Sequence, residues 1–319
     1  MNTVIKKVPI PMAGLMLALA ATGNLVLSYG NTYRNIFGIL STAVLLLLVA
    51  KIILEPKAIS EGFENPVVAS VTPTLSMGIM LLSTYLKPYA PSAAYGIWLF
   101  ALALHAMLII YFTKKYISSF NIKKVFPSYF VVYVGIVVGS VTAPAYGHAN
   151  WGQGIFWFGL ITYLILLPIV LYRVFRIKEI PEPALPTITI FAAPASLLIA
   201  GYLNSFQQKN SAIVGFIAAL AFVSLLGVLI YLPKLLMLKF YPSYSAFTFP
   251  LVISGVAMKG TNAFLLNTNN GIAALMYVVK FLEAAAVLIV FYVLIRYIMF
   301  LVPSKTVDAT AEKAAPIIR

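Results

Sequence analysis

Charge is scarce in this sequence and cysteine is missing altogether: Asp, Glu, Lys and Arg make up 9% of the 319 residues. A water-soluble domain of this length would devote about a quarter of its residues to those four types. With 62% hydrophobic residues there is too little polar surface to coat a globule, so the solvent of this chain is mostly lipid. The absence of cysteine excludes disulfides, thiolate catalysis and cysteine-ligated zinc or iron–sulfur sites. Acids number only eight and histidines two, and none are spaced as metal ligands. No Ser, His and carboxylate set shares a plausible site, and the acids are scattered over loops without a repeated pair. An enzyme, a metal centre and a bound cofactor are therefore not expected. The net charge of +14 would raise the question of nucleic acid in a soluble protein. Here the cations sit in short loops between apolar runs, so no nucleic-acid partner is expected.

What is present is a succession of apolar runs of the length a bilayer requires, about 20 residues. They fall at 9–29, 32–54, 66–86, 91–117, 127–145, 151–175, 186–204, 211–238, 242–262 and 271–302. The first follows a short basic stretch, Lys6-Lys7, without a clear cleavage site, and reads as a retained helix. With the N-terminus inside, the inner segments hold 17 Lys and Arg and the outer connections 4 (Arg34, Lys87, Lys209 and Lys259), with Lys280 left within a span. The positive-inside rule then places both termini in the cytoplasm, in the cell membrane. Residues 1–302 form the membrane domain and 303–319 a polar cytoplasmic tail.

The odd-numbered runs begin at Pro9, Pro66, Pro127, Pro186 and Pro242, separated by 57, 61, 59 and 56 residues. Two of them share Pro-Ser-Tyr, at 127–129 and 242–244. Proline is favoured in the first turn of a helix, where its missing N–H costs nothing. The spacing predicts five copies of a helical hairpin. The odd runs also carry breakers at mid-span (Pro73, Gly135, Gly139, Pro194, Pro250) and small or hydroxyl residues, among them Gly14, Thr74, Ser196 and Ser254. The even runs read as plain lipid-compatible helices. A proline inside a helix frees a carbonyl, which lipid tolerates only where protein or water covers it. The expected architecture is all-α, with an inner ring of five kinked helices around a central pore and an outer ring of five. Close packing of small residues explains any one span taken singly.

The pore helices carry no Asp or Glu, and their N-termini, each worth roughly half a positive charge, open on the basic side. That field attracts small anions rather than cations. Lys280 and Glu283, three residues apart in the tenth run, are expected to pair on one helical face and to brace a helix contact. His105, in the fourth run, reads as a hydrogen-bonded structural histidine.

Three stretches carry a family resemblance: Pro9 to Gly23 (PIPMAGLMLALAATG), Pro186 to Ser196 (PTITIFAAPAS) and Phe247-Thr-Phe-Pro250. In this order they resemble the tellurite-resistance/dicarboxylate transporter family, which includes bacterial tellurite-resistance proteins, fungal malate permeases and plant slow anion channels. The resemblance implies a homotrimer of ten-helix protomers, each with its own pore, blocked at mid-membrane by a phenylalanine. Matching Thr248-Phe249-Pro250 to the family pattern puts that gate at Phe249, where the following proline restricts the backbone. Helical periodicity offers Phe247 instead, on one face with Ser243, Pro250 and Ser254 and aligned in the repeat with Phe191; both stay open. Expected pore-lining residues are Gly14, Thr74, Gly135, Phe191, Ser196 and Ser254, with kinks at Pro73, Pro194 and Pro250. The function expected is a gated channel or transporter for small inorganic or carboxylate anions. The alternative is a proton-coupled C4-dicarboxylate carrier of malate type, or a tellurite or sulfite exporter.

Overall fold

A computed structural model describes residues 2–302, so the expected tail at 303–319 lies outside the described residues. The described chain is helical, with no strand among the described residues. Ten longer segments make up most of it, beside the short helices Asn2–Lys7 and Pro56–Gly62. α1 is Ile10–Leu25, α2 Asn31–Leu54, α3 Pro66–Leu86 and α4 Pro91–Ile117. α5 is a broken segment over 129–146, made of Tyr129–Tyr133, Val137–Thr142 and the 3-10 turn Ala143–Tyr146. α6 is Ala149–Ile177, α7 Glu182–Ser205, α8 Ser211–Leu236, α9 Pro242–Asn267 and α10 Ala273–Leu301. Eight of them are long and apolar enough to cross a membrane; α1 is shorter, and α5 is interrupted.

Burial sorts the segments into two sets. Of an 18-residue window, 61% is buried in α3, 89% in α7 and 56% in α9. In α2, α4, α6, α8 and α10 the share runs from 22% to 39%. α1 is buried along almost its whole length, and so is α5 up to Ala143. The less buried set is rich in Leu, Ile, Val and Phe on outward faces, as expected where the partner is hydrocarbon. Expected plainness was too simple for α6 and α8: Pro168 and Pro233 lie inside them without ending the helix. Asn65 and Asn210 cap α3 and α8, accepting from the N–H groups of Val67 and Val68 and of Ala212 and Ile213.

Hydrogen bonds join the buried segments in succession and close the ring. Tyr85 donates to the Ala20 carbonyl (2.5 Å), linking α3 to α1. Ser70 and Ser128 share a bond of 2.6 Å between α3 and the start of α5. Ser205 donates to the Ser140 carbonyl (2.6 Å), linking α7 to α5, and Thr189 to that of Ala246 (2.6 Å), linking α7 to α9. Thr248 reaches the Gly14 carbonyl at 3.5 Å and brings α9 back to α1. Hydroxyl-to-carbonyl bonds are how helices in lipid satisfy backbone groups freed by irregular turns. The outer set is pinned on by the same chemistry. Ser41 of α2 donates to the Met16 carbonyl (2.7 Å). His105 of α4, fully buried, donates from Nε2 to the Val132 carbonyl (3.1 Å) and meets Ser76 at Nδ1 (2.9 Å).

Candidate functional site

All five buried segments line one narrow cavity of about 60 Å³, room for a few waters. It sits where each segment changes its winding. α1 turns from 3-10 (Ile10–Met12) to α at Ala13, α7 at Ala193 after a 3-10 stretch Glu182–Ala192, and α9 at Thr248 after Pro242–Phe247. α3 breaks between Val71 and Thr74, and α5 between Tyr133 and Val137. The mid-span prolines belong to these changes. Pro73 directly precedes Thr74, and Pro194 and Pro250 lie in the first turn of the α stretches of α7 and α9, where no N–H is needed. Pro186, expected to open its segment, lies within a 3-10 stretch that begins at Glu182. Gly135 is required by close approach: a Cβ there would collide with the Val131 carbonyl oxygen of its own broken turn.

The 3-10 winding decides which side chains face the cavity. At three residues per turn, i, i+3 and i+6 share a face. On α7 these are Thr187, Ile190 and Ala193; on α9 they are Ser243, Ala246 and Phe249. Gly14, Thr74, Gly135, Pro194 and Pro250 line the same space. Three residues expected to line a pore do not border this cavity: Phe191 lies on the 3-10 stretch of α7, where α-helical phase does not hold, and Ser196 and Ser254 lie further along the α stretches of α7 and α9. Phe191 turns into the wall of a lateral hollow between α6 and α8. Ser196 and Ser254 bond each other at 3.1 Å and line a separate small void. Phe247, the alternative gate residue, is fully buried and packs on Tyr244 with ring centroids 4.8 Å apart. Phe249 keeps 7% of its surface open and borders the cavity.

No charged side chain borders this cavity; its polar groups are the hydroxyls of Thr74, Thr187, Ser243 and Ser245. Among the described residues there is no cluster of side chains able to hold a metal ion.

The intramembrane charges gather instead at the far ends of α1, α9 and α10. Here a second and closer cation, Lys259, joins the Lys280–Glu283 pair. Glu283, nearly buried, stands 2.6 Å from the Lys259 ammonium and 3.9 Å from that of Lys280. Tyr29 donates to it at 2.7 Å. Lys259 also donates to the Leu25 carbonyl (2.9 Å) and to Ser28 (2.7 Å), while Lys280 donates to the Tyr29 hydroxyl (2.8 Å). Lys259, expected in an outer connection, lies about two-thirds of the way along α9, whose helix runs on to Asn267.

With five broken segments around an uncharged cavity in a helical membrane protein, comparison with known families is decisive. The SLAC1 family, described as voltage-dependent anion channel, matches residues 8–298. The chain belongs to this family. It is accordingly a multi-pass membrane protein of a channel and transporter family, as the three sequence stretches had implied. It is also similar to an uncharacterized transporter of Methanocaldococcus jannaschii, at 25% identity over 72% of this chain and 73% of that protein. The family match spans α1 to most of α10 and so includes every segment that lines the cavity.

Proposed function

We propose that the chain passes small anions through a pore on the axis of α1, α3, α5, α7 and α9, and that Phe249 occludes it. In this reading all ten segments cross the membrane as five hairpins, both termini are cytoplasmic and the protomers assemble as a trimer in the cell membrane. The observation that carries it is the single cavity walled by all five buried segments and free of charged side chains. The wall is mostly apolar, and the hydroxyls of Thr74, Thr187, Ser243 and Ser245 are spent on backbone carbonyls. A small anion would be held weakly there, which suits throughput better than tight binding. A cation would find no carboxylate on that wall. The α stretches of α1, α3, α7 and α9 begin at the cavity, so their N-terminal ends add positive potential there.

Proton-coupled carriage would need a titratable group on the path. Glu283 and His105 both stand off the cavity wall, held by Lys259 and Tyr29 and by Val132 and Ser76. That favours the channel. Purified protein in planar bilayers tests it: Phe249→Ala is expected to raise anion current about tenfold, equivalent to about 1.4 kcal/mol off the barrier. Absence of anion current in both wild type and variant overturns the proposal. Reversal potentials under ion substitution would then rank halides, nitrate and carboxylates.

A further inference from the structure

Between α6 and α8, over the 3-10 stretch of α7, lies a lateral hollow of about 900 Å³. Its wall is apolar, with Leu167, Ile188, Phe191 and Leu220 inside and Val223 and Ile230 at its open side. Val223 and Ile230 are largely exposed, so the hollow opens sideways, where lipid lies. One end is polar. Lys178, Glu179 and Tyr231 border it, and the Lys234 ammonium lies 5.6 Å above the Tyr231 ring. The Glu179 carboxylate is engaged by Lys123 at 3.1 Å. The rim therefore presents Lys178 and Lys234 as its excess charge.

This rim is held in place. Lys178 and Glu179 both have positive φ, 60° and 46°, a backbone state that side chains disfavour. Their carbonyls are gripped by the buried Arg173 guanidinium, which also takes the Lys123 carbonyl at 3.2 Å. A bilayer-facing apolar slot ending in fixed cations matches one occupant by charge and polarity. We propose that the hollow binds an anionic phospholipid, one acyl chain along the apolar wall and the phosphate at Lys178 and Lys234. Basic pockets between membrane helices recognise such headgroups. The seated chain would touch Phe191, whose ring lies 5.8 Å from that of Phe130 on the wall of the central cavity. The site thus borders the central cavity through two aromatic rings, yet it stands whether or not that cavity conducts.

Native mass spectrometry of the full chain, titrated with phosphatidylglycerol or phosphatidylcholine, tests the site without reference to transport. Phosphatidylglycerol is expected to bind more tightly. Replacing both lysines (Lys178→Ala with Lys234→Ala) should weaken it roughly thirtyfold, the loss of two lysine–headgroup attractions. The exposed Lys57→Ala serves as control for general surface charge and should change little. Gly227 borders the hollow, and a Cβ there meets nothing within 4 Å, so Gly227→Trp fills the slot without disturbing the helix. It should reduce retention of the lipid as strongly as the lysine pair does. Equal binding of the two lipids, or full retention in either variant, overturns the proposal. So does a disulfide between two copies of Gly227→Cys in this cysteine-free chain, which would assign the hollow to a protein contact.

Discussion

The central cavity and the charged cluster at the ends of α1, α9 and α10 handle polar groups in opposite ways. Around the cavity five helices are broken, the wall is mostly apolar with a few hydroxyls, and no charged side chain stands among them. In the cluster α9 and α10 run unbroken past the charges, and one carboxylate, Glu283, is shared by the Lys259 and Lys280 ammonium groups and the Tyr29 hydroxyl. A permeant ion needs groups that can attract it without holding it. A joint between helices needs groups whose attraction is already spent on each other. The same lipid surroundings thus accommodate an uncharged, mostly apolar wall around the cavity and charges paired across helices in the cluster.

The sharpest way to break that contrast is to compare two phenylalanines two residues apart. Phe247 is fully buried against Tyr244, whereas Phe249 borders the cavity. Phe247→Ala should cost about 3–5 kcal/mol, as for a large core ring cut to a methyl. Thermal unfolding in detergent reads that loss, and anion current per folded protein should not rise. Phe249→Ala should do the reverse, raising current with a smaller loss of stability. Equal effects of the two on current would remove the assignment of the cavity face to the 3-10 phase.

Next in size is the cluster. Glu283→Gln leaves the Lys259 ammonium without its anion, 2.6 Å from a neutral amide. Breaking a fully buried pair costs about 3–5 kcal/mol; Lys259 keeps some exposure, so about 2–3 kcal/mol is expected here. Adding Lys259→Met should restore part of the loss, because two apolar or neutral partners need no charge solvated. A pH-dependent transport defect in Glu283→Gln without loss of stability would place this carboxylate on the transport path and undo the contrast.

How much of this was legible beforehand depends on winding. Hydropathy and charge bias located the long helices, and the spaced prolines pointed to the five segments that surround the cavity. Gly14, Thr74 and Gly135, expected to line a pore, and Pro194 and Pro250, expected as kinks, all border the cavity, and each lies at or near a break, where phase matters little. The place of Phe191 was not legible, and the choice between Phe247 and Phe249 stayed open, since proline-flanked apolar sequence does not reveal whether it winds at 3.0 or 3.6 residues per turn. Across the six residues from Ser243 to Phe249 those windings differ by about a third of a turn. That is enough to exchange one phenylalanine for the other. The Lys259–Glu283 pair was hidden for a different reason: its partners lie on separate helices, and only local spacing was visible. Within α10, Lys280 was the neighbour that spacing could offer.

The smallest effect separates those two lysines. Lys280 is mostly exposed, 3.9 Å from Glu283, and spends its hydrogen bond on Tyr29. An exposed pair in this arrangement contributes about 0.2–1 kcal/mol, so Lys280→Ala should shift stability by no more than that. Lys259→Ala removes an ammonium that binds a nearly buried carboxylate, the Leu25 carbonyl and Ser28 together, and should cost several times as much. Measured side by side in one detergent, a larger loss for Lys280→Ala would mean that the cluster braces α10 along its own length. A larger loss for Lys259→Ala means that it ties α9 and α10 to the end of α1, and so holds two of the five cavity-lining segments together from outside.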